Sequence, residues 1–333
     1  MGQIDRDRTW AVVPVAGFGT RLQPHTHTRP KPLLHVAGQP ILGHILDQMV
    51  ALGIERIVLV VGYMGEQIID YVQQRGDFAR VESVEQPEPL GLGHAIYLTR
   101  SIVGGDPMLI VYGDTIFQAD LQALWQAAGD GFLGVKKVGD PERFGVVVEE
   151  RGQVVKLREK PEEFVSDLAI VGTNLIANSS LLFACLEQLL ERDIRTRGEY
   201  QLTDALQLMV ERGAQLGTFP VENWFDCGTR EALLLTNRYL LAQAPVPECP
   251  RNTVIIPPVH LDPAATVSRS VIGPYVSVGR QAKVDNSIVR NTILGEQAMV
   301  EDLLLEDSIV GFQALVRGRA GRVNVGDMSQ ITA

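Results

Sequence analysis

Residues 10–52 read WAVVPVAGFGTRLQPHTHTRPKPLLHVAGQPILGHILDQMVAL. The opening run, 10–15, is apolar throughout, the pattern of a strand buried on both faces. The closing segment, 40–52, places apolar residues at helical spacing, and Pro40 suits a first helical turn. Between them lie residues 17–39, far longer than the two to six residues usual for such a link. In α/β sheets ligands bind beyond the carboxyl ends of strands, where this connection begins. A strand, a long glycine-bearing loop and a helix together predict an α/β fold with its chemistry in the loop.

The alternation continues outward. RIVLVV at 56–61 and MLIVY at 108–112 read as buried strands, and 65–74 and 91–102 carry helix-period apolar positions. A hairpin fits 145–157 around Arg151-Gly152, and further helices fit 180–192, 202–212 and 229–243. This order predicts a Rossmann-like, mostly parallel sheet with helices on both faces. The proline-rich segment 244–252 then reads as a linker. Beyond it a hexad recurs as Ile272-Gly273-x-x-Val276, Val278-Gly279-x-x-Ala282, Leu294-Gly295-x-x-Ala298 and Val310-Gly311-x-x-Ala314. Steps of 16 join Leu294 to Val310 and Val300 to Val316. Such hexads build a small parallel β-helix, aliphatic residues inward and small ones at corners. The expected segments are therefore a domain over 1–243, a linker over 244–252, a β-helix over 253–320 and a tail over 321–333.

The 333 residues carry 40 acids and 30 bases, net −10, which argues against a nucleic-acid coat. No apolar run approaches the length of a membrane span, so no membrane partner is expected. The start, MGQIDRDRTW, is too charged for a secretory signal. Cys185, Cys227 and Cys249 form no CxxC pair, as fits reduced thiols and a cytoplasmic setting. Residues 8–46 hold no Asp or Glu but do hold Arg8, Arg21, Arg29 and Lys31. An acidic chain that keeps one stretch for cations alone points to an anionic ligand there.

That stretch suits phosphate. Gly17 and Gly19 let backbone N–H groups come close to an anion. Arg21 offers a planar fork of donors and Lys31 a point charge, with Pro30 and Pro32 restricting the backbone around it. Two common phosphate loops do not fit. A GxGxxG fingerprint would need glycine at Leu22, and GxxxxGK[ST] does not occur.

The run Gly17, Gly19, Thr20, Arg21, Leu22, Pro24, Thr26, Pro30, Lys31, Pro32, Leu33 resembles the signature of sugar-1-phosphate nucleotidyltransferases. Further blocks resemble that family in order: Gln86 with LGLGHA at 90–95, Tyr112-Gly113-Asp114, DPERFGV at 140–146, EKP at 159–161, RGEYQLTD at 197–204 and WFDCGT at 224–229. The resemblance covers nearly all of 1–243. The hexads resemble long forms that append a left-handed β-helix. It implies catalytic Arg21 and Lys31, and nucleotide contacts at Ala16, Gly17, Gly19, Thr20, Gln86 and Gly91. It implies sugar-phosphate contacts at Gly145, Glu159, Lys160, Gly172 and Arg197, with Arg195 close enough to compete for that role. Asp114 and Asp226 are implied as Mg²⁺ ligands, although either could merely begin a loop or cap a helix. His25 and His27 invite an acid–base role, but a sugar phosphate is already mostly a dianion at neutral pH and needs no base.

The implied partners are a nucleoside triphosphate and a sugar-1-phosphate. Pro14-Val15-Ala16 and GLGHA resemble uridylyltransferases, and the long form resembles glucose-1-phosphate thymidylyltransferases. The expectation is UTP or dTTP with glucose-1-phosphate. Asn174 stands where the family commonly has Tyr near the sugar, so the sugar stays open. Alternatives are guanylyl transfer to mannose-1-phosphate, an added acyltransferase in the β-helix, and a regulatory subunit that binds nucleotide-sugar without making it. The last would lack a metal carboxylate or the signature lysine, and Asp114, Asp226 and Lys31 are all present. Flat β-helix faces also lead to an expected homo-oligomer.

Overall fold

The computed structural model describes residues 4–318 and 324–332. Packing divides the chain into two compact units: Met1–Gly17 with Ile45–Trp224, and Phe18–His44 with Phe225–Ala333. This grouping differs from the sequence segments 1–243 and 253–320, because the long loop and the last helix cluster with the β-helix.

The first unit is built on a sheet of strands β1 (Trp10–Pro14), β2 (Arg56–Val61), β3 (Arg80–Glu85), β4 (Met108–Val111), β5 (Gly131–Lys137), β6 (Gly145–Glu150), β7 (Gln153–Glu159), β8 (Leu168–Ile176) and β9 (Leu216–Pro220). They lie in the order β7-β6-β8-β4-β1-β2-β3, with β5 also on β8 and β9 on β5. β4, β1, β2 and β3 are parallel. β8 runs antiparallel to β4, β5 and β6, and β6 and β7 form the expected hairpin. The Rossmann-like α/β fold is present, but its sheet is mixed, parallel across β4, β1, β2 and β3 and again between β5 and β9. The apolar run of β8 did not disclose its direction, since burial on both faces removes the alternation that marks a half-exposed strand. β3, RVESVE, is an edge strand whose charges hid it from an apolar reading.

Helices α1 (Ile41–Ala51), α2 (Gly65–Arg75), α5 (Ser179–Glu191) and α6 (Leu202–Glu211) lie where the periodicity puts them. The helix expected over 91–102 is instead α3 (Leu92–Leu98) and α4 (Arg100–Val103). Thr99 separates them, its buried hydroxyl donating back to the Ile96 carbonyl at 2.7 Å. That local bond competes with helix continuation. No helix among the described residues is long and apolar enough to cross a membrane.

The chain runs from β1 to β2 and β3 on one side, then returns to β4 on the other. Connections leaving adjacent parallel strands in opposite directions open a crevice at their carboxyl ends. Ala16 and Gly17 follow β1 there, and Asp114 follows β4.

The second unit contains the β-helix. Its strands stack in three rows: 254–255, 271–272, 288–289 and 304–305; 259–261, 276–278, 293–294, 309–310 and 324–325; and 266–268, 283–285, 299–301, 315–317 and 330–332. All these pairings are parallel, and Leu294 and Val310 are in register, as are Val300 and Val316. Ile272, Val278, Leu294 and Val310 are buried together with Ala282, Ala298 and Ala314, as the hexad requires. Gly279 and Gly295 sit where a Cβ would come within 2.8 and 3.0 Å of the glycine one rung on. The stretch expected as a tail continues the coil through 324–325 and 330–332. Residues 319–323 and 333 lie outside the described residues.

Helix α7 (Arg230–Leu241) and the loop 18–44 complete this unit. The loop is a chain of single 3-10 turns at Thr20–Leu22, His25–His27 and Lys31–Leu33, followed by a hairpin pairing His35–Val36 with Gln39–Pro40. His35 is pushed down to about 4, chiefly by burial, with Arg29, His260 and His44 adding to the effect and Glu296 opposing it. His25 and His260 are also lowered by burial. A histidine neutral when folded but protonated when unfolded contributes stability that is full above about pH 6.5 and lost as pH falls toward the folded value. Melting temperature is therefore expected to fall between pH 7.5 and 5, with His35 alone costing about 2 kcal/mol at pH 5. His35→Asn should flatten that slope; an unchanged slope would remove His35 as its source.

Candidate active site

The first unit carries two groups of candidate residues. At the crevice, Ala16 packs against Gly62, where a Cβ would lie 2.8 Å from the Ala16 carbonyl oxygen. Gly17 is exposed, with open space in the Cβ direction. Gln86 follows β3, its backbone N–H donating to the Val61 carbonyl at 2.8 Å. Its side-chain amide donates to the Gly91 carbonyl at 3.1 Å and lies 3.1 Å from His94 Nδ1. Burial lowers the His94 pKa, which favours a neutral ring that can accept from that amide. His94 lies within the block LGLGHA at 90–95, where nothing in the sequence marks it for a role of its own.

Gly91 has φ +104°, and a Cβ there would lie 2.7 Å from the Tyr200 carbonyl oxygen. Gly93 N–H donates to that oxygen at 2.7 Å, and Tyr200 N–H donates to the Leu90 carbonyl at 2.9 Å. Two sequence blocks more than 100 residues apart, 90–95 and 197–204, are thus stitched together. Asp114 is half-buried just beyond β4 and accepts from the Thr115 hydroxyl at 3.2 Å. The Tyr112 phenol is pushed up by burial and by the Glu159 and Asp114 charges, so it stays protonated. Gly172, φ +56°, lies where a Cβ would be 2.8 Å from the Tyr112 ring, and its carbonyl accepts from Tyr112 N–H at 2.8 Å.

The second group surrounds the end of the hairpin. Glu159 pairs with Gly145 across the β6–β7 ladder, and its Oε2 accepts from the Thr203 hydroxyl at 2.7 Å. Lys160 Nζ lies 3.7 Å from Glu159 Oε1. Lys160 and Arg197 both have positive φ, +39° and +53°, an unusual conformation for side chains of this size. Arg197 donates to the Lys160 carbonyl at 3.2 Å. Arg195 is engaged elsewhere, with Asp193 at 2.7 Å and the Tyr200 hydroxyl at 3.0 Å. Arg197 is thus the arginine beside Lys160. Asn174 is fully buried on β8, and neither of its amide atoms has a hydrogen-bond partner among the described residues.

The second unit assembles the loop residues. Gly19 adopts φ +63° at the start of the Thr20–Leu22 turn, and a Cβ there would lie 3.0 Å from Lys31 Cβ. The Thr26 hydroxyl donates to the Gly19 carbonyl at 2.9 Å. Leu22 is buried as the anchor of the turn, leaving Thr20 and Arg21 exposed. Lys31 is buried, and its Nζ lies 3.6 Å from Oδ1 of the half-exposed Asp226. A Cβ on Gly228 would lie 2.7 Å from Arg21 Nη2 and 2.9 Å from Asp226 Oδ1. Arg21 and Asp226 therefore meet at a glycine that has no side chain to separate them, with Lys31 on the same carboxylate. His25 is buried with Nε2 2.6 Å from Asn324 Oδ1, a packing role, whereas His27 is exposed. No cluster of three or more His, Cys, Asp or Glu occurs among the described residues.

Comparison with known proteins gives this arrangement a setting. The family model described as nucleotidyl transferase matches residues 10–243. A bifunctional protein GlmU from Methanococcus vannielii is 38% identical over 240 residues, covering 69% of this chain and 55% of its own. The chain thus spans about half the length of that relative. A glucose-1-phosphate thymidylyltransferase from Streptomyces griseus is 32% identical over 312 residues, covering 85% of this chain and 86% of its own. A crystal structure of a Bacillus anthracis protein described as a glucose-1-phosphate thymidylyltransferase, in complex with sucrose, superposes with a TM-score of 0.61. Identity there is 25%, covering 72% of this chain and 98% of that one.

Proposed function

The chain belongs to the nucleotidyl transferase family, and from that premise we propose that it transfers a nucleotidyl group from dTTP or UTP to glucose-1-phosphate. The gathering of Arg21, buried Lys31 and Asp226 carries this reading. A lysine and an arginine held beside one carboxylate suit a chain of phosphates. The Streptomyces griseus relative, similar over most of both chains, supports the thymidylyl and glucose halves of the assignment. Uracil and thymine differ by one methyl, worth only about 1–3 kcal/mol of discrimination in a pocket, so both triphosphates belong to the proposal.

The sugar phosphate has a second pKa of about 6 and attacks as a dianion. One of its oxygens forms a bond to the α-phosphorus while the bond to the β-phosphate oxygen breaks, and pyrophosphate leaves in line. No proton must be removed, so the barrier is orientation and the repulsion of two polyanions. Arg21 and Lys31 would neutralise triphosphate oxygens. Lys160 and Arg197 would hold the sugar phosphate. Glu159, with one oxygen occupied by Thr203, would accept from a sugar hydroxyl, and Gly145 would admit the ring beside it. Ala16, Gly17, Gly19 and Thr20 would offer backbone N–H groups to phosphates, and Gln86 and Gly91 would face the base. Gly172, packed against the Tyr112 ring, would bring bare backbone to the sugar.

Asp114 and Asp226 are both partly open to solvent, and such hard oxygen donors fit Mg²⁺, which takes one or two carboxylates. The ion would supply charge neutralisation at the phosphates. Pyrophosphate release across a panel of triphosphates and sugar-1-phosphates tests the reading. The fastest pair is expected to be dTTP or UTP with glucose-1-phosphate. No release with any pair would favour binding without catalysis, and a GTP–mannose-1-phosphate optimum would overturn the substrate assignment.

A further inference from the structure

The loop that bears Arg21 and Lys31 has little internal structure to hold it. Its three turns are single 3-10 turns with no sheet or helix behind them between residues 18 and 34. Several of its side chains reach the coil of the same unit. Arg29, two residues before Lys31, donates to Glu296 Oε2 at 2.7 Å, with both side chains about three-quarters buried. The same guanidinium lies over the Phe312 ring, 4.4 Å from its centroid. Thr28 donates to Asp327, which also accepts from Phe312 N–H at 2.7 Å. Gly326 packs on Pro24, and His25 meets Asn324. Only a cavity of about 40 Å³ remains between these groups, bordered by Arg29, His35, Glu296 and Phe312.

These contacts join segments more than 260 positions apart, and those of Glu296 and Phe312 meet on one arginine. Arg29 is followed by Pro30 and Pro32, which flank Lys31 and stiffen the backbone between the clamp and the ammonium. From Lys31 the link continues to Gly19, packed so closely that a Cβ there would lie 3.0 Å from Lys31 Cβ, and from Gly19 to the turn that presents Arg21. A guanidinium held by a carboxylate at its edge and a ring at its face has its orientation set in two directions.

We propose that Glu296 and Phe312 of the β-helix are positioning residues for the transfer reaction, acting through Arg29 to hold the turn bearing Arg21 and the segment bearing Lys31. The inference rests on the roles assigned to Arg21 and Lys31 above. The β-helix then contributes to turnover through residues outside the set assigned to the substrates.

The test measures kcat and both KM values for Glu296→Ala, Glu296→Gln and Arg29→Ala in the full chain, with Arg21→Ala as reference and melting temperatures recorded. Displacement of a phosphate-binding loop by about 1 Å is expected to lower kcat/KM for the triphosphate by about 10²-fold, with its KM raised. KM for the sugar phosphate should stay within about twofold, because Glu159 and Lys160 belong to the other unit. Loss of folded protein alone would leave both KM values unchanged, and that result overturns the proposal. Glu296→Gln keeps an acceptor for Arg29 and should recover most of the loss. Arg29→Ala combined with Glu296→Ala should cost no more than Arg29→Ala alone.

If Glu296→Ala is unfolded at the assay temperature, Phe312→Leu is read against the same thresholds. Turnover within twofold of wild type in Glu296→Ala, beside a crippled Arg21→Ala, overturns the inference and leaves the proposed reaction standing. Wild-type turnover in Arg21→Ala overturns the reading of the site and this inference with it.

Discussion

Arg21→Ala is expected to lower kcat by about 10²–10³-fold, the usual cost of one preorganised electrostatic contact to a transition state. The side chain is exposed on its turn, and Leu22 rather than Arg21 anchors that turn, so the melting temperature should not move. Arg21→Lys should restore only part of the rate. The ammonium keeps the charge but loses the planar fork that grips two phosphate oxygens at once. Steady-state pyrophosphate release checks both variants. Wild-type turnover in Arg21→Ala would remove Arg21 from the chemistry.

Gly145→Val should strike the other substrate. A Cβ at this position would lie 2.6 Å from Thr203 Oγ1 and 2.8 Å from Glu159 Oε2. Those two atoms are already hydrogen-bonded to each other at 2.7 Å, so neither can yield without the other. Displacing Glu159 by about 1 Å is expected to cost about 10²-fold in kcat/KM for the sugar phosphate. Triphosphate affinity, measured by calorimetry, should be unchanged. An unaltered KM for the sugar phosphate would detach Gly145 and Glu159 from sugar recognition. The size of the effect separates this residue from glycines that serve only a turn, such as Gly76, where a Cβ would meet nothing within 4 Å.

What the sequence disclosed followed from local pattern. Apolar runs located β1, β2 and β4, and the hexads located the β-helix because each repeat states its own inward positions. The loop stood out by its length and its cations. What stayed hidden was pairing across distance. The direction of β8, the Gly91–Tyr200 contact and the Arg29–Glu296 clamp each join segments with no shared period. His25 and Arg29 both carry charge or potential charge in an acid-free stretch, so both could be read as phosphate ligands. The structure turns each toward the coil instead. Arg195 and Arg197, indistinguishable by spacing, were separated by Asp193 and Tyr200, which occupy the first and leave the second beside Lys160.

The rows of the β-helix advance by a nearly constant number of residues, as from Ile293 to Ile309 or Met299 to Leu315. The Gln281, Gln297 and Gln313 side chains, hydrogen-bonded in succession at 3.0 and 2.6 Å, keep the same beat along one corner. Such a coil has a quantised length. Deleting one full lap brings inward-facing side chains back over inward-facing neighbours and shortens the column by a single strand spacing, about 4.8 Å. Deleting half a lap turns every later row onto the wrong face and exposes what had been core. Natural variation or engineering can therefore lengthen or trim this column only in whole laps.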